Sequence, residues 1–318
     1  MRILLYTVEK RSDTMIVKER KTPHRLLVMN TLANRMNLSR DDRNKHTNWV
    51  KGDEGEIKFI GLTRVRLTRD CLILNDLYLE VKGKSCQLDT LVVTAKGLSI
   101  YEVKNFEGEY YYQNEKMYHG RYEKEVYDPA YQIRNAESVV RQLLDQLGYN
   151  FAVKKYIVFV NPNFTLFGAP RNSGLILPSM IDSHFTAINE ISGHLNQTHY
   201  QFAEEIKTLH KVDFSLRHVP YYEDKLLKKG VTCVQCGKFI NQFTKKRSCV
   251  CSNCGKEELV SHTIVRLAEE RKLLFPNDKI TVSVLLQWCD YQLSASRIRY
   301  ILNKYFKAEG TGRWRYYK

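Results

Sequence analysis

The sequence predicts an α/β domain followed by a small cysteine-rich ribbon and a C-terminal helical module. Three observations carry that expectation. Strand-like apolar runs at 71–74, 77–81, 87–94 and 98–104 lead into a long helical pattern that opens at Pro129. Two Cys-x-x-Cys-Gly knuckles follow, at Cys233 and Cys236 and at Cys251 and Cys254. Helical patterns and a glycine turn then close the chain. With 318 residues there is room for two or three domains. The expected division is a basic N-terminal segment at 1–50, an α/β domain with a helical extension at 51–228, a ribbon at 229–260 and a last module at 261–318.

The elements are justified in order. In the basic N-terminal segment, Leu26, Leu27, Asn30, Leu32 and Met36 lie loosely at helical spacing, so 23–38 can form a helix. It either packs on the main domain or serves as an arm that contacts nucleic acid. Gly52-Asp53-Glu54-Gly55-Glu56 leads into Ile57, Phe59, Ile60 and Leu62, a short amphipathic helix. The four strand signals come next, the last two joined by a Lys96-Gly97 turn. Glu109-Tyr110-Tyr111-Tyr112 reads as another strand. Asp128 is placed to cap the following helix, with proline at its first position. That helix runs through Ala136, Val139, Val140, Leu143, Leu144 and Leu147, and Gly148 is placed to end it. Residues 156–160 form a buried strand closed by Asn161-Pro162-Asn163, 175–177 a further short strand, and 182–211 is mostly helical. The histidines there (His184, His194, His199, His210) are not at metal-ligand spacing and read as ordinary surface or satisfied residues.

Charge inside the strands points to chemistry. Side chains alternate along a strand, so Glu102 and Lys104 share a face, and the hairpin brings Asp89 alongside. Two carboxylates and a lysine converging make a site for a divalent metal and a water, the equipment for cutting a phosphodiester. A half-exposed edge strand with solvated charges also fits the alternation. Leu88, Leu91, Val92, Val93, Leu98, Ile100 and Val103 favour the first reading, because a charge inside a doubly buried strand is costly unless paired or bound to metal. Gln132 shares the helical stripe of Ala136, Val139 and Leu143, which would put it near the sheet edge where the carboxylates meet; a half-exposed glutamine at the start of a helix fits at least as well.

Composition bounds the partners. The formal charge of +15 suggests a polyanion, most simply nucleic acid, although a solubility charge fits as well. Of eight cysteines, five cluster in one short segment, which is a metal pattern rather than a secreted disulfide framework. No apolar run reaches the length of a membrane span, so no membrane partner is expected. Met1-Arg2-Ile3-Leu4-Leu5-Tyr6 is too short and too quickly charged for a signal peptide, and a reducing cytoplasm is the expected compartment.

Each cysteine knuckle supplies two sulfurs from a tight turn, and four thiolates suit tetrahedral Zn²⁺. A closed site of this kind, built from Cys233, Cys236, Cys251 and Cys254, is structural. Cys249 is too close to Cys251 to share its turn. Lys245, Lys246 and Arg247 would sit on the ribbon's loop as phosphate contacts. In the last module, three helical patterns and a glycine turn follow the order of a winged helix, with Ser294 placed to cap the third helix. Arg297, Arg299 and Lys304 fall on that helix, and Arg313 and Arg315 on the wing. A helical cap with a solvated basic face fits this segment equally.

Taken together, Gly52-Asp53-Glu54-Gly55-Glu56, Gln87-Leu88-Asp89, Glu102-Val103-Lys104-Asn105-Phe106-Glu107-Gly108 and Pro129 with Gln132 resemble the nuclease-related domain (NERD) family. The resemblance covers roughly 50–165. It implies a restriction-endonuclease-like mixed sheet flanked by helices, of the PD-(D/E)xK type. Leu88 stands where that pattern's name has proline. The resemblance further implies that Asp89 and Glu102 bind Mg²⁺ or Mn²⁺, and that Lys104 orients or helps deprotonate the attacking water. Glu56 would be an additional acidic ligand or water contact, and Gln132 would shape the site.

The expected function is therefore a metal-dependent nuclease acting on DNA, with RNA not excluded. A non-catalytic nucleic-acid-binding adaptor or a transcription regulator on the same scaffold are the alternatives. The fold often cuts double strands with two sites, so a homodimer is compatible.

Overall fold

The computed structural model describes residues 14–318 apart from 115, 122, 127–128, 172, 212–215 and 241–246. The expected Asp128 cap, the Met1–Tyr6 run and the loop residues Lys245 and Lys246 lie outside the described residues. In chain order the first elements are β1 (Thr14–Lys18), α1 (His24–Arg35), α2 (Arg40–Arg66), β2 (Cys71–Val81), β3 (Lys84–Thr94), β4 (Gly97–Lys104), β5 (Gly108–Gln113), β6 (Lys116–His119) and β7 (Lys124–Glu125). There follow α3 (Pro129–Leu147), β8 (Val153–Phe159), β9 (Phe164–Phe167), β10 (Leu175–Ile176), α4 (Ile181–Asn189) and α5 (Gln197–Thr208). The remaining elements are β11 (Ser248–Val250), β12 (Glu257–Leu259), α6 (Val260–Leu274), α7 (Val282–Trp288), α8 (Ala295–Tyr305), β13 (Ala308–Glu309) and β14 (Tyr316–Tyr317). They form two compact units, residues 1–22 with 48–213 and residues 23–47 with 214–318.

The first unit is built on a mixed six-stranded sheet in the order β1-β2-β3-β4-β8-β10. The β2-β3-β4 meander is antiparallel, while β1, β8 and β10 are parallel to their neighbours. Both faces are covered. On one, Leu74, Leu91, Val93 and Ile100 pack against Val139 and Leu143 of α3 and Phe202 of α5. On the other, Ile73, Val92, Tyr101 and Val158 pack against Phe59 of α2 and Phe185 of α4. This is the mixed sheet flanked by helices that the sequence implied. A smaller four-stranded sheet, β7-β6-β5-β9, belongs to the same unit.

Three local readings are corrected. The helix expected over 52–62 is the second half of the 27-residue α2, because Ser39 starts it earlier: its hydroxyl accepts from the Asp42 N–H at 3.1 Å. The runs 71–74 and 77–81 are one strand, β2, kinked at Asp76, whose φ of 54° is left-handed. The edge strand β1 was not foreseen; its short Met15-Ile16-Val17 run is flanked by charge and offers a weak pattern.

In the second unit, α1 packs on α6, a partner that neither expectation for 23–38 named. Arg35 is the reason. It is fully buried, pairs with Glu270, donates to the carbonyls of Lys228 (2.7 Å) and Gly230 (3.1 Å), and lies 4.1 Å over the Trp288 ring. The hairpin β11-β12 and the cysteine knuckles precede α6, α7 and α8. Thr281 caps α7 through the Val284 N–H at 3.1 Å. Ser294 occupies the N-cap position of α8 but makes no capping bond; its hydroxyl faces Ser296 instead. β13 pairs with β14, and Ile280 bridges to Tyr317. No described helix is long and apolar enough to cross a membrane.

Two glycines of α2 behave oppositely. A Cβ on Gly55 would lie 2.7 Å from the Asn105 Cβ, whereas one on Gly52 would meet nothing within 4 Å. Gly52→Ala should therefore gain the usual helix-propensity increment of about 1 kcal/mol. Gly55→Ala should lose stability, the overpacking cost of about 1–3 kcal/mol outweighing that gain. Urea midpoints of the two variants check this; a stabilised Gly55→Ala would refute the close packing of α2 on the end of β4.

Candidate active site and metal centre

The site forms where the strand ladder opens. The β2–β3 pairing runs through Asn75↔Thr90 and resumes at Leu77↔Leu88, so its register leaves Asp76 opposite Asp89. The β3–β4 pairing ends at Thr90↔Tyr101, and one step further the same register brings Glu102 beside Asp89. Three acidic residues thus lie in a row across three adjacent strands. The Asp89 carboxylate replaces a ladder partner by accepting the Val103 N–H at 2.7 Å. Lys104 donates to Glu102 Oε1 at 2.6 Å and to Gln132 Oε1 at 2.7 Å. Gln132 arrives there because α3 lays its Ile133, Ala136 and Val139 stripe on the same sheet face as Ile100.

Asp89 and Glu102 are both buried. Burial pushes the Asp89 carboxyl well above the usual carboxylate range, and the negative charges of Glu102 and Glu56 push it the same way. The Val103 N–H and Lys104 oppose that rise without cancelling it. Lys104 supplies this buried pair with a single positive charge, and the hard oxygens of the two carboxyls are the donor type that a divalent cation takes with few protein ligands. The residues present therefore fit Mg²⁺ or Mn²⁺.

Glu56 is near enough to affect Asp89 but is held elsewhere. Arg20 Nε binds its Oε2 at 2.7 Å, and Arg20 Nη2 binds Asp53 Oδ1 at 2.6 Å. Burial raises the Glu56 carboxyl, with Arg20 pulling the other way. Asp89, Glu102, Lys104 and Gln132 are thus brought together, while Glu56 flanks them in a pair with Arg20. Sequence reasoning missed Arg20, which lies 36 residues before its partner and carries no local signal. It also missed Asp76 and Lys18, whose ammonium donates to the Asn75 and Asp76 carbonyls at 2.8 and 2.6 Å and clamps the kink. An Asn-Asp pair inside an apolar strand was the available cue, since both residues tolerate left-handed φ.

In the second unit, the sulfurs of Cys233, Cys236, Cys251 and Cys254 all lie within 4.8 Å of one another. Among the described residues this is the group of three or more ligating side chains that could hold a metal ion. Gly237 and Gly255 turn beneath it with φ of 69° and 72°, left-handed values that glycine adopts without strain. The backbone N–H of Lys238 draws the Cys236 thiol down to about 6, whereas burial drives Cys233 up to about 12. Four thiols crowded at this distance, one already inclined to ionise, fit a thiophilic cation. Cys249 faces Thr263 at 3.4 Å and stands apart from the cluster.

Arg297, Arg299 and Lys304 are exposed on α8, and Arg315 is exposed beside the β13–β14 turn. Arg313 belongs to that turn. Arg247 is exposed just before β11. Three of the histidines from 182–211 are structural: His184 bonds the Tyr101 hydroxyl, His199 serves the Asn196 cap, and His210 accepts the Tyr78 N–H.

Neutralising Asp89 should stabilise the metal-free fold at neutral pH. Its raised folded pKa means the native state binds more protons than the unfolded state between the ordinary aspartate value and the raised one. Stability therefore falls as pH rises through that window. Asp89→Asn, melted in chelator at pH 7, should unfold at a higher temperature than the wild type, with the difference vanishing below pH 4; a lower midpoint would contradict the buried acid pair.

Residues 51–160 match the family model of the nuclease-related domain. No curated protein and no solved structure matches the chain.

Proposed function

We propose that the nuclease-related domain at 51–160 is a divalent-metal-dependent nuclease that hydrolyses phosphodiester bonds of DNA. The observation that carries this reading is the Lys104 ammonium between Glu102 and Gln132, beside the buried Asp89. Asp89 and Glu102 are the residues that would hold Mg²⁺ or Mn²⁺. When bound, such an ion relieves charge on the phosphate and acidifies a water.

The remaining work falls to the chain's own residues. An ammonium has three donors, and Lys104 spends two on Glu102 and Gln132. The third is available to a water or a phosphate oxygen, so Lys104 acts by positioning and by stabilising charge. Gln132 fixes the direction of that ammonium. Arg20 keeps Glu56 oriented, and Glu56 serves as an acidic water contact beside the reacting centre.

The test is supercoiled plasmid with Mg²⁺ or Mn²⁺ and with chelator, beside Lys104→Ala. Metal-dependent nicking should fall by about 10²-fold or more in the variant, with DNA affinity nearly intact. No cleavage by the wild type, with DNA still bound, would instead favour a binding scaffold.

The second unit supplies affinity and stability in this reading. Its order is α6, the Ile280 bridge, α7, α8, β13, a turn and β14, which is winged-helix order. Arg297, Arg299, Lys304, Arg313 and Arg315 are proposed as its phosphate and base contacts, with Arg247 and the neighbouring Lys245 and Lys246 on the ribbon. Arg299→Ala and Arg315→Ala should each weaken DNA binding and reduce the salt slope by roughly 1; unchanged slopes would remove them from the interface. The cysteine cluster is proposed as a structural Zn²⁺ site, suited to a reducing compartment such as the cytoplasm. Metal analysis should find a single zinc per chain, lost in Cys251→Ser together with cooperative melting of residues 214–318.

A further inference from the structure

The small sheet of the first unit has an unusual outer face. Along β9 buried and exposed residues alternate, while β5 and β6 bury Tyr110 and Met117 and leave their neighbours half-buried or exposed. Tyr110, Met117, Phe164 and Leu166 point into the core. The other face carries Tyr111, Tyr118 and Phe167. Their register is direct: Tyr111 pairs with Tyr118 on β6 and with Phe167 on β9. Three large rings therefore stand in one row across three neighbouring strands. Tyr111 and Tyr118 are stacked, with centroids 5.1 Å apart and planes within 12°. Phe167, at the end of the row, is 57% exposed. Tyr111 and Tyr118 are half-buried, so the apolar surface that the row leaves open for an occupant is widest at Phe167.

The strands that carry the row continue the chain paths of the strands that carry the candidate active site. β4 and β8 run parallel up to Lys104↔Phe159, and the same two chain paths resume as the parallel pair β5 and β9 at Gly108↔Phe164. The aromatic sheet thus extends the β4–β8 pair past the ends that present Lys104. Tyr111 follows Lys104 by seven positions, at most about 25 Å of chain. Charge on this face is mixed, with Glu109, Lys116 and Glu125 around the rings and Lys116 paired to Glu125. Such a face has little to offer phosphates. What it offers is π surface, which every unpaired base can stack on and a closed duplex cannot supply.

We infer that the Phe167–Tyr111–Tyr118 row is a stacking platform for unpaired bases, and that the substrate of the adjoining site is nucleic acid with single-stranded character. The inference rests on the nucleic-acid substrate proposed above. The row is the sheet-based counterpart of the aromatic platforms by which single strands are gripped.

The test uses the full chain in chelator, so that binding is read without cleavage. Fluorescence anisotropy compares a labelled oligothymidylate with a blunt duplex of equal length, for the wild type, Phe167→Ala, Tyr111→Ala and Phe167→Tyr. Each alanine should weaken oligothymidylate binding about tenfold while leaving duplex affinity unchanged, and Phe167→Tyr should retain binding. Equal oligothymidylate affinity in all four proteins would overturn the platform, as would equal losses on both ligands. A dimer in sedimentation that Phe167→Ala breaks, with oligothymidylate affinity unaltered, would assign the face to a second copy and also overturn it. The readings separate cleanly. Plasmid cleavage without ring dependence sinks the platform alone, and ring-dependent binding without cleavage sinks the nuclease alone.

Discussion

The arrangement of the first unit depends on keeping two carboxylates, Asp89 and Glu102, inside an apolar sheet. Their neighbours on that face are Leu91, Val93 and Ile100. Carboxyls so placed are held by specific partners: Val103 N–H for Asp89, and the Lys104 ammonium for Glu102. The positions of other elements follow from supplying those partners. α3 must deliver Gln132 to Lys104, and α2 must approach closely enough at Gly55 to bring Glu56 within electrostatic reach. The positive charge supplied is still too little, which is why burial and Glu102 leave the Asp89 carboxyl raised. Stability is given up at the point where a cation would be gained, a trade common at functional sites.

The same region shows how a strand can open without ending. The β2–β3 ladder skips one pair at Asp76 and Asp89, and the Asp76 backbone takes a left-handed φ there. Lys18 holds both neighbouring carbonyls, so an otherwise costly conformation is fixed from the edge strand. Each unit has its own anchoring device. In the second, Arg35 ties α1 to Glu270, Trp288 and two backbone carbonyls, and the four cysteines draw the knuckles together. A buried cation network of this kind holds together a unit built of short elements.

Much of the local structure was legible because it follows from short-range rules. Apolar runs with β-branched residues gave β3 and β4; the turn between them falls at Ala95-Lys96, one residue earlier than expected, and Gly97 opens β4. The 3.6-residue stripe from Ile133 to Leu144 gave α3 and placed Gln132 on its buried side. The knuckle spacing gave the cysteine cluster. What failed were readings that needed a distant partner. β1 has too little pattern to stand alone and exists by pairing with β2. Ser294 satisfies a capping rule in sequence yet bonds Ser296. Arg20 becomes part of the site only through Glu56 and Asp53.

By itself, then, the sequence determined which strands carry Asp89, Glu102 and Lys104, since alternation and turn chemistry act within a few residues. It also determined the four thiols, whose spacing is a local property. Only the tertiary structure decided that Glu56 is paired with Arg20, that Asp76 stands opposite Asp89, and that Tyr111, Tyr118 and Phe167 share one row. Those facts depend on strand order and register between segments tens of residues apart. Register is chosen by the packing of whole faces against helices, so no short window of sequence contains it.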